Sequence, residues 1–488
     1  MMSASNASVT LYLNKSKSRV EIMDWSAKRM ITDGRHMQTK INMPRINLII
    51  FKLLILNLCF TWFAHAADPD FQHAPTSFQY ENRNFVPVDI RQQNVFWSVT
   101  EDLSFVEARS ETIFSIQETG SPFLLLNPNA TGDLVSKNGK EPFKVKEMAA
   151  SPFTKSNFYY IDKVLKPGTY VVQFQYSFIP DPKMSSFLPI DYNNHAFAEA
   201  GIPSNYTYDH FKLTLDITIN SETTNKYHLI TNGSVTKGDK PNTFYAKYPS
   251  HLTSMSFFMD IVETGKVIEN RFETTSIGNN KVDVLVYSTW SDVAVEAYKA
   301  LIDWEFNEIE KIFGPYPYPY IILKTVGAES PTNLAGAFAG AMLLPIDYTG
   351  EIFHELGHSW YMQNLSPAQG DDMWLYEGIG MWAPSYLPAG NENRDPKFNQ
   401  YIDLSANPYS LSSTKYMHDV GPAILSEIHR QLQHKGGLLK YLKEIYVFKM
   451  REGGIHNRTL STKEFKSLLE QFSGENFNEI FSYYFNNL

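Results

Sequence analysis

Cysteine is almost missing from this sequence: Cys59 is the only one in 488 residues. No intrachain disulfide can form, so stability has to come from core burial, with a bound metal as the other available support. Leu58 stands before Cys59 where a small residue is wanted, which argues against lipidation. Basic charge is also in short supply. Residues 1–66 carry nine of the 43 Lys/Arg and three of the 52 Asp/Glu, so the remainder holds 34 against 49, a net charge of −15. A surface of that sign repels a polyanion, and nucleic acid is excluded as a partner. An unbroken apolar run of the roughly 20 residues that span a membrane is lacking too, because Lys52 splits the only candidate. No internal repeat or long low-complexity tract is present.

What the N-terminus does contain is a basic, then apolar, then small-residue order from Met43, ending at Ala64-His65-Ala66. That order predicts a secretory signal peptide over 43–66, an upstream extension from an early start codon over 1–42, and a periplasmic or secreted product. Contact with a membrane follows only if this segment stays uncleaved. Asn129, Asn205, Asn232 and Asn457 begin N-x-Ser/Thr patterns, which matter only in a host that glycosylates. Oligomeric state is not legible.

From Ala67 to about residue 280 apolar residues recur with a period of two. Tyr170, Val172, Phe174, Tyr176 and Phe178 form one run, and Phe211, Leu213, Leu215, Ile217 and Ile219 a cleaner one. One buried and one solvated face predicts antiparallel sheet, folded as a β-sandwich. Val282–Tyr287 reads as a last strand. Val293, Ala297, Ala300, Leu301, Trp304, Ile309 and Ile312 then recur at helical spacing up to Gly314-Pro315. Helices are expected from there to Leu488, including one from about Pro422 to Val447. A capping box, Ser461 with Glu464, opens a last helical segment that stops at Ser473-Gly474. The fold class expected is α+β, with a β-sandwich over 67–280 and a mainly helical domain over 281–488.

The stretch that carries chemistry is Glu351–Ala383. His354 and His358 stand four apart, so on a helix both imidazoles leave one face and reach a single ion. Glu355 is one step round, beside the metal, as suits a general base acting on water. Neutral imidazole nitrogen points to zinc, one ion per chain. Glu377 follows His358 after 18 intervening residues, inside Trp374-Leu375-Tyr376-Glu377-Gly378. A carboxylate there completes two histidines and one glutamate, with a fourth position open to water.

The run His354-Glu355-Leu356-Gly357-His358-Ser359-Trp360-Tyr361, the 18-residue gap and the Glu377 segment resemble the gluzincin metalloaminopeptidases typified by membrane alanyl aminopeptidase and leukotriene hydrolase. Gly201-Ile202-Pro203-Ser204 with Asp209, Thr231-Asn232-Gly233 and Phe313-Gly314-Pro315-Tyr316-Pro317 extend the likeness. The resemblance implies a β-sandwich followed by a thermolysin-like catalytic domain, with peptides as substrates. One departure is length: the chain stops soon after the catalytic domain, a short form without the C-terminal helical domain of many family members, which predicts a more open cleft.

The pattern departs from the family at two further points. Family aminopeptidases carry a Gly-x-Met-Glu-Asn strand whose glutamate holds the substrate's amine. The matching stretch here is Gly336-Ala337-Phe338-Ala339-Gly340 or Gly340-Ala341-Met342-Leu343-Leu344, without glutamate or asparagine. It reads either as an edge that pairs with a peptide backbone or as an apolar core strand, with Glu199 or Glu329 as stand-in anchors. The family's oxyanion-binding tyrosine lies three residues before a helix-opening glycine. Before Gly421 that place holds His418, and Tyr416 lies two further back; either can donate to the oxyanion. The expected function is an aminopeptidase-like zinc metallopeptidase with an atypical N-terminal anchor. Alternatives are a glycyl-aminopeptidase-like or endo-acting gluzincin and a non-catalytic peptide-binding protein that kept the fold.

Overall fold

The computed structural model describes residues 74, 76–124, 129–148, 158–180, 201–204, 209–278, 280–288, 292–326, 335–345, 352–368, 372–383, 402–403, 418, 420–452, 458–486 and 488. The segment 43–66, Glu199, Glu329 and Tyr416 lie outside the described residues. The chain divides into two compact units, Met1–Ala66 and Ala67–Leu488.

Side chains that alternate between apolar and polar drive the first part of this unit into strands. These are β1 (Phe78–Tyr80), β2 (Arg83–Val86), β3 (Asp89–Val99), β4 (Val106–Ile116), β5 (Ser121–Leu124), β6 (Thr131–Ser136) and β7 (Gly139–Met148). They continue with β8 (Phe158–Ile161), β9 (Gly168–Phe178), β10 (Lys212–Ile219), β11 (Tyr227–Thr231), β12 (Ser234–Lys237), β13 (Thr243–Lys247) and β14 (Met259–Glu263). Twelve of them form one sheet in the order β1-β2-β5-β8-β7-β6-β9-β4-β3-β10-β13-β12, while β11 and β14 pair separately. The expectation of purely antiparallel pairing needs correction. β10 runs parallel to β3, with Leu215 beside Val95 and Ile217 beside Trp97, and β2 runs parallel to β5. Alternation reports that β10 has one buried face, and it is blind to the direction of the neighbouring strand. Gly201 and Pro203 lock onto this sheet through their carbonyls, which accept from Trp97 Nε1 at 3.3 Å, from the Tyr176 hydroxyl and from the Gln93 amide.

A second sheet contains β15 (Ile268–Thr275), β16 (Lys281–Ser288), β17 (Tyr320–Val326), β18 (Gly336–Phe338) and β19 (Ala341–Pro345), in the order β15-β16-β17-β19-β18. The division expected between 280 and 281 passes through the β15–β16 hairpin, where Thr275 pairs with Lys281 and Ile268 with Ser288. The helices are α1 (Asp292–Phe313), α2 (Ile352–Gly357), α3 (Met373–Trp382), α4 (Gly421–Leu432), α5 (Leu438–Glu452), α6 (Thr462–Ser473) and α7 (Asn478–Tyr484); α1 packs on β15 and α2 on β18 and β19. The single helix expected from Pro422 to Val447 is two, α4 and α5. Gly436 and Gly437 between them adopt φ of +98° and +78°, a left-handed turn that glycine enters at no steric cost. The Ser461/Glu464 capping box is formed, with both reciprocal bonds present. No helix among the described residues is long and apolar enough to cross a membrane.

A buried ion pair between Asp260 on β14 and Lys324 on β17 joins the two parts, its side chains 4% and 5% exposed. Burial pushes the Asp260 carboxyl up, and the Lys324 ammonium offsets part of that. Removing one partner leaves a buried charge alone. Lys324→Met is therefore expected to lower unfolding free energy by about 3–5 kcal/mol, and Lys324→Met with Asp260→Leu to recover most of it, by denaturant titration. A second buried carboxyl makes stability depend on pH. Glu305 on α1 has Oε2 buried without a partner among the described residues, and burial pushes its carboxyl from 4.5 up to about 8. The folded chain holds a proton there that the unfolded chain releases, so stability falls as pH rises from 4.5 towards 8. Glu305→Gln is expected to flatten that slope in thermal melts across the same range.

Candidate metal centre

α2 is short and buried along its whole length. It carries His354 and Glu355. His358 follows one residue beyond its end, with its N–H still donating to the His354 carbonyl at 3.3 Å, so the four-residue spacing keeps its helical geometry. The two imidazoles cross at 83° with their Nε2 atoms 2.9 Å apart. Next come Trp360 and Tyr361, both fully buried. The Trp360 indole donates to the Pro315 carbonyl at 3.1 Å and the Tyr361 hydroxyl to the Leu442 carbonyl at 2.6 Å. These bonds hold the segment after α2 against the entry to β17 on one side and α5 on the other.

Glu377 arrives on α3, which is fixed in the same way. Trp374 Nε1 donates to Thr462 Oγ1 at 2.9 Å, and the Tyr376 hydroxyl meets the carbonyls of Ser366 and Leu460 at 2.8 and 3.0 Å. With both neighbours anchored, the Glu377 side chain has one direction left, towards the histidines. Its Oε2 lies 3.4 Å from His354 Nε2 and 3.4 Å from His358 Nε2. A carboxylate oxygen of Glu355 lies within 4.8 Å of both ring nitrogens.

Three electron-pair donors thus converge in a buried place, where a shared cation relieves their mutual repulsion. Ligands about 2.0–2.1 Å from a tetrahedral zinc ion stand about 3.3–3.4 Å from one another; the two contacts to Glu377, at 3.4 Å, fit that spacing, and the His354–His358 contact, at 2.9 Å, is shorter. Both Nδ1 atoms are buried without partners among the described residues, and it is the Nε2 atoms that face the centre. Burial alone would raise the Glu377 carboxyl. Its contacts with His358, His354 and His418 instead hold it well below its usual range.

Of the two residues expected to bind an oxyanion, His418 is brought to the site, its Nε2 3.1 Å from Glu377 Oε2. The close crossing of α3 and α4 puts it there: a Cβ on Gly378 would come within 3.0 Å of the Gly421 backbone, and one on Gly421 within 2.5 Å of the Trp374 carbonyl. The Gly336–Gly340 stretch contributes β18, the edge of its sheet, in a hairpin with β19. Ala337 and Phe338 are buried, and the Ala337 carbonyl accepts from Gln363 Nε2 at 2.8 Å. Edge and apolar strand are therefore both true of it.

Gly380 is a site residue that spacing alone did not reveal. A Cβ there would stand 2.8 Å from His354 Nδ1 and 3.0 Å from His358 Cε1, so its lack of a side chain is what seats both rings. Its position three residues after Glu377, on the same helix face, was the available signal. Gly380→Ala is expected to weaken zinc binding about 10- to 100-fold, the scale of a change just behind the ligands, while far-ultraviolet circular dichroism stays unchanged. Chelator competition measures it, and parental affinity in the variant would sink the assignment.

No protein-family model and no curated protein matches this chain. Solved structures do. An M1 zinc metallopeptidase from Deinococcus radiodurans aligns with a TM-score of 0.57 at 13% identity, over 82% of this chain and 94% of its own. A variant of that enzyme with a Tyr-Ser-Ala substrate bound gives 0.56 at 15% identity, over 81% and 94%. Native yeast LTA4 hydrolase gives 0.55 at 12% identity, over 81% of this chain and 66% of its own. At such identities the likeness is one of fold, and the fold of this chain is that of the M1 zinc metallopeptidases.

Proposed function

We propose that this protein is a zinc metallopeptidase, aminopeptidase-like, with an atypical anchor for the substrate's N-terminus. The observation that carries the reading is the convergence of His354 Nε2, His358 Nε2 and Glu377 Oε2, with Glu355 alongside. Zinc held by those three residues supplies Lewis acidity that polarises a carbonyl and brings the pKa of water towards about 7. Glu355 takes the proton from the attacking water and passes it to the leaving amine. His418 donates from its ring to the developing oxyanion, a role for which Tyr416 remains the other candidate. The strands β1–β14 are read as a β-sandwich and the part from β15 onward as a thermolysin-like catalytic domain, in an exported protein that loses residues 43–66. The low-identity likeness to two-domain M1 structures supports that organisation.

Peptide cleavage by wild type and Glu355→Gln tests the mechanism. The variant is expected to keep its zinc and lose about 10²- to 10⁴-fold in kcat, as removal of a general base does. A chelator should abolish wild-type cleavage and added zinc restore it. Equal cleavage by zinc-loaded Glu355→Gln would refute the role of Glu355. A protein that binds peptides and cleaves none would favour the non-catalytic alternative. With the amine anchor altered, N-acetylation of the peptide is expected to slow cleavage only in part.

A further inference from the structure

His418 stands closer to the centre than a donor to substrate requires. Four contacts among the donor atoms are 2.9, 3.4, 3.4 and 3.1 Å: His354 with His358, His354 with Glu377, His358 with Glu377, and His418 with Glu377. Edges of a tetrahedral zinc site run about 3.3–3.4 Å, and the His418 contact, at 3.1 Å, falls between the His354–His358 contact and edges of that length. His354, Glu377 and His418 also make a set of their own, with ligand atoms all within 4.8 Å of one another, and the His354 and His418 rings cross at 90°. A closed structural zinc site has four donors around one point. A hydrolytic site keeps three and leaves the last place to water or substrate.

Exposure separates His418 from the rest. Its side chain is 37% exposed, while those of His354, His358 and Glu377 are 10%, 3% and 10%. Three donors are walled in by the core, and one borders solvent. Pro422 in the first turn of α4 and the Gly378/Gly421 contact fix the start of α4 three residues on from His418.

From this we infer that His418 is an exchangeable fourth protein ligand. It closes the metal's coordination shell in the resting enzyme and gives up its place when a substrate carbonyl arrives, after which the freed ring can donate to the oxyanion. The inference rests on the zinc reading above and adds a self-blocking device to it.

X-ray absorption on the zinc-loaded full chain counts the imidazoles. Wild type is expected to show three and His418→Ala two, with zinc affinity in the variant lower by about tenfold or more. The visible spectrum of the cobalt-loaded protein provides a second readout. Azide should perturb it little in wild type and strongly in His418→Ala, where the fourth place is open. Two imidazoles in wild type would overturn the inference without recourse to any variant, and would leave the zinc-peptidase reading standing. Failure to bind zinc at all would overturn both.

Discussion

The backbone contact between Gly378 and Gly421 is the constraint on which the centre depends. Helices usually cross at about 8–10 Å, a distance set by the side chains between them. At this crossing neither partner has one, and a methyl on Gly421 would lie 2.5 Å from the Trp374 carbonyl. Because α3 and α4 meet so closely, Glu377 and His418, each next to the crossing, end up 3.1 Å apart. The histidine pair on and just after α2 would otherwise face a carboxylate with nothing behind it. One contact between two glycines thus sets both the third donor and whatever approaches from the solvent side.

Placing these groups costs energy that the surroundings have to offset. His354, Glu355, His358 and Glu377 are all buried, and a buried carboxylate without a partner is among the most destabilising groups a core can hold. The aromatic residues flanking the motifs answer a different need. Trp360, Tyr361, Trp374 and Tyr376 are fully buried, and each spends its polar atom on a fixed acceptor in another segment. They act as pins. With the rotations of α2 and α3 set by four such bonds, the donors need not search for one another, and the site is organised before any ligand arrives.

The clustering of His354 and His358 was legible because it follows from short-range spacing. Four residues on a helix place His354 and His358 together whatever the rest of the chain does, and Glu377 stands on the next helix. The alternation in β10 likewise gave its buried face. Properties that depend on partners far along the chain were not legible. Nothing in β10 distinguishes β3 as a parallel neighbour, since alternation is the same in either direction. Apolar periodicity runs through Gly436-Gly437, so the break between α4 and α5 shows only in backbone angles. Gly380 becomes meaningful once the face of α3 that looks at the histidines is known, and Gln363, which binds the Ala337 carbonyl, carries no signal in its sequence context.

The sheet edge bears on which end of a peptide the site would select. β18 is three residues long, contains no acid, and has one backbone acceptor already taken by Gln363. Strand addition draws its affinity from a row of free main-chain groups, and specificity for a charged amine needs a carboxylate within reach. This edge offers little of the first and none of the second. In the peptidase we propose, binding energy would come mainly from the end of the cleft at His354, His358 and Glu377 and from side-chain contacts beyond it. A site organised in that way is indifferent to a charge at the substrate's N-terminus unless a carboxylate from another segment supplies the recognition. The chemistry at His354, His358, Glu377 and Glu355 and the choice of substrate end are therefore separable properties of this fold, carried by different elements and open to change independently.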